Sequence, residues 1–192
     1  MDKVIELFSN KVIRCFIKQN IIDESQKDVY KYGIIVASQA TITMISMLII
    51  GLIFDLFFEN LCFIIVFKIL RKFSGGLHSK KFLICFFVSI LLNILVLFTY
   101  RLFVLVHNFM IVVPVEFVSS LILVLLSPVK CKNKDISKNE SKVFKLIVTI
   151  ICITVFLGSV FFVSKKILIV YFFCMAVLLD CFFVGLGSLR TS

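Results

Sequence analysis

The chain has 192 residues, of which 61% are hydrophobic and only 17% charged, and its mean hydropathy is +1.13. Soluble domains carry about 45–50% apolar and about 25% charged residues, so a water-soluble globule is excluded. The formal charge of +10 could suggest nucleic acid. The placement of the basic residues explains it better as membrane topology, and the expected partner is a lipid bilayer rather than a nucleic acid.

The first 19 residues mix Asp2, Lys3, Glu6, Lys11, Arg14 and Lys18 with apolar positions. Such a stretch lacks the uninterrupted apolar core of a cleavable signal peptide, and the first span is expected to direct insertion. Val4, Phe8, Val12 and Phe16 recur every four residues beside Ile5, with Lys3, Lys11, Arg14 and Lys18 on an adjoining arc. This pattern predicts an amphipathic helix that either lies on the inner membrane surface or packs on the bundle. Asp23 to Gln26 form a polar connector, so residues 1–28 read as an N-terminal region and 29–192 as the transmembrane part of a single domain.

About 20 apolar residues cross the hydrocarbon as a helix. Segments 33–54, 82–100, 102–126, 143–163 and 167–187 meet that length, and 56–70 is a shorter candidate with Glu59 and Lys68 near its ends. Cytoplasmic loops retain Lys and Arg, which tests the short segment. Six basic residues precede the first span, none follows it, five lie from Lys68 to Lys81, and Arg101 stands alone. Six then fall from Lys130 to Lys145, followed by Lys165 with Lys166 and finally Arg190. This alternation requires the short span. The expected architecture is therefore all-α and polytopic, with about six transmembrane helices and both termini cytoplasmic. Ser79 and Asn133 are expected inside, Asn60 and Ser164 outside.

The seven cysteines form no CxxC pair and most lie in apolar runs, where a thiol behaves as a small hydrophobe. Reduced thiols are expected, with neither metal nor cofactor. Chemistry concentrates in segment 71–85, which joins the second and third spans on the cytoplasmic side. It holds Arg71, the diglycine Gly75-Gly76, one of two histidines, His78, and Cys85. A thiol with a pKa near 8.5 needs a base or a positive field to become a nucleophilic thiolate, and His78 could supply the base. Seven residues along a straight helix rise about 10.5 Å, too far for a thiol–imidazole hydrogen bond, so the chain must bend. Gly75 and Gly76 permit backbone angles closed to other residues, and their amides could serve an oxyanion. On composition alone the favoured reading makes the diglycine a turn and Cys85 a packed or lipid-facing residue.

The string Arg71-x-x-x-Gly75-Gly76-x-His78 followed by Cys85 resembles the signature of the accessory gene regulator B (AgrB) family, membrane peptidases of Gram-positive quorum sensing. The number of hydrophobic segments, the basic amphipathic N-terminus and the basic loop after Pro128 extend the resemblance over most of the chain. It implies a cell-membrane cysteine endopeptidase with Cys85 as nucleophile and His78 as base. It further implies removal of the C-terminal tail of an AgrD-like precursor peptide through a thioester, then thiolactone or lactone closure, and a homodimer. Arg71, Gly75 and Gly76 would support the loop. Lys130, Lys132, Lys134 and Lys138 mark topology and could also attract an acidic substrate tail.

Ionisable groups within spans are costly and usually face the protein interior. Glu116 and Asp180 could orient His78, but pairing with basic groups or a packing interface is the favoured reading. Gln39, Asn93 and Asn108 are expected to bond between helices. The rival functions are a small transporter or channel with Gln39, Glu116 and Asp180 along its path, and an inactive peptide-binding relative.

Overall fold

The computed structural model describes residues 2–19, 21–75, 82–106, 111–128, 138–162 and 167–191. Among these the chain is helical and contains no strand. The helices are α1 (Asp2–Lys18), α2 (Lys27–Ile53), α3 (Phe57–Ser74), α4 (Phe82–Val106), α5 (Val112–Leu126), α6 (Lys138–Phe162) and α7 (Ile167–Thr191), with a 3-10 turn at Glu24–Gln26. Among the described residues, four stretches are long and apolar enough to cross a membrane: Glu24–Ile53, Phe82–Val104, Asn139–Phe162 and Ile169–Leu189. α5 is a shorter apolar helix, and α3 carries Glu59, Lys68, Arg71 and Lys72 within its 18 residues. The protein is an all-α polytopic membrane protein.

The side chains are distributed as a bilayer demands. On α4, Phe87, Leu91, Phe98 and Leu102 are exposed, while Asn93, Val96, Leu97 and Tyr100 are buried. On α5 the exposed face is Phe117, Leu121 and Leu125, and the buried face is Glu116, Ser119, Ser120 and Leu123. Apolar residues face outward and polar ones face inward, because hydrocarbon offers no hydrogen-bond partners. α7 lies at the centre and packs most extensively on α3 and α5. One core joins Met47, Phe63, Leu97, Tyr171 and Phe172, and a second joins Leu70, Leu123, Val148, Val177 and Val184.

The α2–α3 turn closes with a Schellman motif. Leu56 N–H donates to Gly51 O at 2.9 Å, Asp55 N–H donates to Leu52 O at 3.1 Å, and Asp55 takes the left-handed conformation at φ 58°. Arg101 Nη2 donates to Phe54 O at 2.6 Å, so the arginine expected alone outside caps this turn. Beneath it lies a polar layer. Asn60 Nδ2 and Asn93 Nδ2 both donate to Met47 O, at 2.8 and 3.2 Å, tying α3 and α4 to α2.

The structure corrects several sequence expectations. The third span does not end at Tyr100: α4 continues through Arg101 to Val106. Nor is 102–126 one helix, because Pro114 has no N–H for a bond to residue 110 and its ring would clash there. α5 instead begins at Val112, which puts Pro114 in the tolerated first turn. Asn60 is not an accessible outer residue but is fully buried. The packed stripe of α1 is Ile5, Ser9 and Ile13, one position from the expected one, while Phe8 stays exposed. α1 packs on α2, and Lys31 pairs with Glu6 at 3.1 Å. Ser79, Asn108, Asn133 and Ser164 lie outside the described residues.

Candidate active site

α3 ends at Ser74 and α4 begins at Phe82, so Cys85 occupies the first turn of α4. Its side chain is exposed. Cys15 is the other exposed cysteine among those described; Cys62 and Cys181 are partly covered, and Cys152 and Cys174 are buried in the bundle. Cys85 is thus accessible and directly follows the segment that contains His78. Gly76, His78, Lys80 and Lys81 lie outside the described residues, as do Lys130, Lys132 and Lys134.

The near side of that segment is anchored. Gly75 has φ 81° and ψ −147°, close to a region open essentially to glycine alone, so the backbone leaves α3 in a direction other residues resist. Arg71 Nη1 donates to Gly75 O at 3.3 Å. The same guanidinium stands 4.6 Å over the Phe183 ring and 3.9 Å from Asp180 Oδ1 on α7. Asp180 is fully buried, and the buried Ser74 lies beside it. An arginine suits this place because its planar fork serves a carbonyl, a ring and a carboxylate together. Arg71 and Gly75 are therefore brought together, with α7 as their support.

Asp180 consequently pairs with a basic group, the favoured reading of its sequence position. Glu116 is also fully buried and accepts a hydrogen bond from Ser159 Oγ on α6 at 3.0 Å. Cys152 lies within electrostatic range of both carboxyls and beside Ser120. These residues form an interior polar layer among α3, α5, α6 and α7. Gln39 does not join it, since α2 packs chiefly on α1, α3 and α4.

Sequence reasoning missed the position of Lys68. Its ammonium donates to Ala40 O on α2 at 3.2 Å and lies within electrostatic range of Cys85 on α4. The helix register places all three at one depth. From the layer of Met47, Asn60 and Asn93, Ala40 is seven residues along α2, Lys68 eight along α3 and Cys85 eight along α4. Each step is about 10–12 Å toward the α3–α4 connection, at ~1.5 Å per residue. The spacing that could have revealed this was legible only after Asn60 and Asn93 were known to share one carbonyl. Among the described residues, no cluster of His, Cys, Asp and Glu could hold a metal ion.

The profile of the accessory gene regulator B (AgrB) family matches residues 9–184. Two curated relatives are each 34% identical over 125 residues: "Putative AgrB-like protein 2" of Clostridium perfringens (strain 13 / Type A) and "Putative AgrB-like protein" of Clostridium perfringens (strain SM101 / Type A). Each match covers 62% of this chain and 58% of the relative. No solved structure matches. With the family profile spanning nearly the whole chain, the protein belongs to the AgrB family.

Proposed function

We propose that this protein is a cysteine endopeptidase of the cell membrane that processes an AgrD-like precursor peptide in quorum sensing. The observation that carries the reading is Cys85, exposed in the first turn of α4 immediately beyond a segment that bears His78 and is anchored through Arg71 and Gly75. His78 Nε2 or Nδ1 takes the Sγ proton, and the thiolate attacks the scissile carbonyl. As the tetrahedral intermediate collapses, the C–N bond breaks and the imidazolium protonates the leaving amine. The peptide remains as a thioester on Cys85 while its tail departs. An internal cysteine or serine of the peptide then attacks that thioester, closes the thiolactone or lactone ring, and frees the Cys85 thiol. Exchange of one thioester for another is nearly balanced, so exclusion of water protects the intermediate.

In this reading the chain crosses the membrane six times, with α3 and α5 as the short spans, and its termini and the catalytic segment are cytoplasmic. Gly76 completes the turn begun at Gly75. Lys130, Lys132, Lys134 and Lys138 draw in an acidic substrate tail, and two copies form a homodimer. No cofactor or metal takes part.

The test is cleavage of a co-expressed short precursor with an internal cysteine or serine and an acidic tail. Cys85→Ala should abolish cleavage with normal insertion, and Cys85→Ser should retain little, because a hydroxyl is poorly activated by a base arranged for a thiol. His78→Ala should be nearly as damaging. A hydroxylamine-labile peptide adduct on Cys85 would support the thioester. Normal cleavage by Cys85→Ala would overturn the assignment.

A further inference from the structure

The α1–α2 pair holds an open groove that the peptidase chemistry does not use. It has a volume of about 500 Å³, the size of a small-ligand pocket, and is lined by Ile5 and Phe8 of α1 and by Ile34, Ala37, Ser38 and Thr41 of α2. From Gly33 to Ile53, α2 carries no ionisable side chain, so this wall lies at hydrocarbon depth, with Asp28 and Lys31 marking its edge. The walls are almost wholly apolar: Thr41 directs its hydroxyl proton to Ala37 O at 2.9 Å, and Ser38 supplies the other hydroxyl. Phe8 is 56% exposed and Ala37 is also exposed, so the groove opens on the bilayer rather than into the bundle.

α1 brings positive charge to one end of this groove. Its first turns lie against Ile34 and its neighbours, whereas its last turn, at Lys18, is tied by the short connector 19–26 to the start of α2. α1 therefore leaves hydrocarbon depth and approaches the membrane edge as it runs from Phe8 to Lys18. Phe8, Lys11, Cys15 and Lys18 follow one another at spacings of three and four, which sets them in one strip along the helix. Lys11 stands about 4.5 Å along the axis from Phe8 and Lys18 about 15 Å, at ~1.5 Å per residue. Both lysines are exposed, and no acid falls between them in the chain. Glu6, two residues before Phe8, is on the opposite side of the helix and pairs with Lys31 at 3.1 Å. Asp23, Glu24 and Asp28 lie beyond the end of α1.

An apolar groove at hydrocarbon depth that ends in cations at the membrane edge matches an amphiphile with an anionic head. We propose that the α1–α2 groove binds an anionic glycerophospholipid: one acyl chain lies between Phe8 and Ala37, Lys11 takes the phosphate, and Lys18 adds its field from two turns further along. Apolar burial and attraction of basic residues to an anionic headgroup act together at such a place. A zwitterionic lipid offers the same chain, but its own ammonium balances its phosphate and leaves the lysines no net charge to meet. Bound there, the lipid packs against the open side of α1 and holds that helix on α2. The site is independent of the peptidase reading, since none of its residues belongs to segment 71–85.

The chain contains no tryptophan, so Phe8→Trp supplies a lone fluorophore at the groove. The full-length protein is reconstituted in phosphatidylcholine vesicles containing a minor fraction of phosphatidylglycerol, with bromine carried on the acyl chains of one lipid or the other, where it quenches the tryptophan on contact. A lysine near an anionic headgroup is worth about a factor of five in binding, so Lys11 and Lys18 together should give phosphatidylglycerol a preference of about 25-fold. Lys11→Gln should lower that preference about fivefold. Ala37→Phe, which fills the groove from an exposed position, should abolish it, and Lys72→Gln at the end of α3 should leave it in place. If Phe8→Trp does not insert, native mass spectrometry of the otherwise unchanged protein and of Lys11→Gln, from micelles holding both lipids, reads the same preference. Equal quenching by the two brominated lipids would overturn the proposal. So would a preference that survives both Lys11→Gln and Ala37→Phe, or one that Lys72→Gln lowers as much as Lys11→Gln, because it would then belong to the bilayer surface as a whole.

Discussion

Alanine at Gly51 would place a Cβ 2.6 Å from Asn60 Nδ2, 3.0 Å from Asn60 Cβ and 3.1 Å from Asn60 Cγ. Asn60 has little freedom to withdraw, being fully buried and bonded to Met47 O at 2.8 Å. Either α2 and α3 separate by several tenths of an ångström or the amide swings away and loses its bond. Overpacking of this kind costs about 1–3 kcal/mol. Loss of an interhelical hydrogen bond in a membrane protein costs about 0.6 kcal/mol on average and up to about 1.7. Replacing glycine by alanine in a helix returns roughly 0.8–1 kcal/mol, so Gly51→Ala should destabilise the protein by up to about 2 kcal/mol net.

The cause can be isolated. In an Asn60→Ala background the space opens, and adding Gly51→Ala should be neutral or mildly stabilising; the double-mutant cycle should show rescue of about 1–3 kcal/mol. SDS titration in mixed micelles, followed by circular dichroism, measures each variant. A harmless Gly51→Ala, or a cost that persists beside Asn60→Ala, would refute the argument. Because the same layer ties α4, which carries Cys85, to α2, Gly51→Ala should also lower cleavage, since misplacement by about 1 Å can cost about 100-fold in rate.

Asp180→Asn should destabilise the protein by about 2 kcal/mol in the same titration. That is below the roughly 3–5 kcal/mol for breaking a fully buried pair, because Arg71 retains 21% side-chain exposure and keeps Gly75 O and Phe183. It should also reduce cleavage by loosening the anchor of the His78 segment; an active, fully stable Asp180→Asn protein would show that the pair supports nothing. Glu116→Gln keeps an acceptor for Ser159 Oγ and should change stability by less than about 1 kcal/mol and leave cleavage intact. Loss of function in Glu116→Gln with cleavage unaffected by Cys85→Ala is the pattern a transport path would give.

Much of the fold was legible because a bilayer imposes simple rules. Uninterrupted apolar length located the long helices, and the one-sided distribution of Lys and Arg argued for the short α3. The error at 102–126 came from counting apolar residues without asking what Pro114 does to a backbone that cannot turn to water for a partner. On α1 the buried positions Ile5, Ser9 and Ile13 lie one residue from the repeat of Val4, Phe8, Val12 and Phe16. Hydrophobicity along one helix ranks faces for lipid and protein alike, and Ser9 packs because it is small and bonds its own backbone, donating to Glu6 O at 2.9 Å. Asn93 was expected between helices, whereas Asn60, near the end of the short span 56–70, was expected on the outer side.

The site was legible to a different degree because its parts depend on different kinds of information. Arg71, Gly75 and Cys85 lie close in the chain, where spacing conveys meaning. Asp180, Ser74 and Lys68 act across helices, and nothing in the sequence says which helices touch or at what height. Depth within the bundle then separates structural polar groups from chemical ones. Glu116 and Asp180 were expected to serve structure, and each meets a partner inside the bundle, Ser159 for one and Arg71 for the other. Lys68 entered the sequence reading only as a charge near the end of the short span 56–70. Its ammonium reaches from α3 to the Ala40 carbonyl on α2, a contact that no spacing announces. In a bilayer, where keeping a charge away from water is expensive, a carboxylate whose partner is already in place is a weaker sign of chemistry than an exposed thiol at the end of a helix.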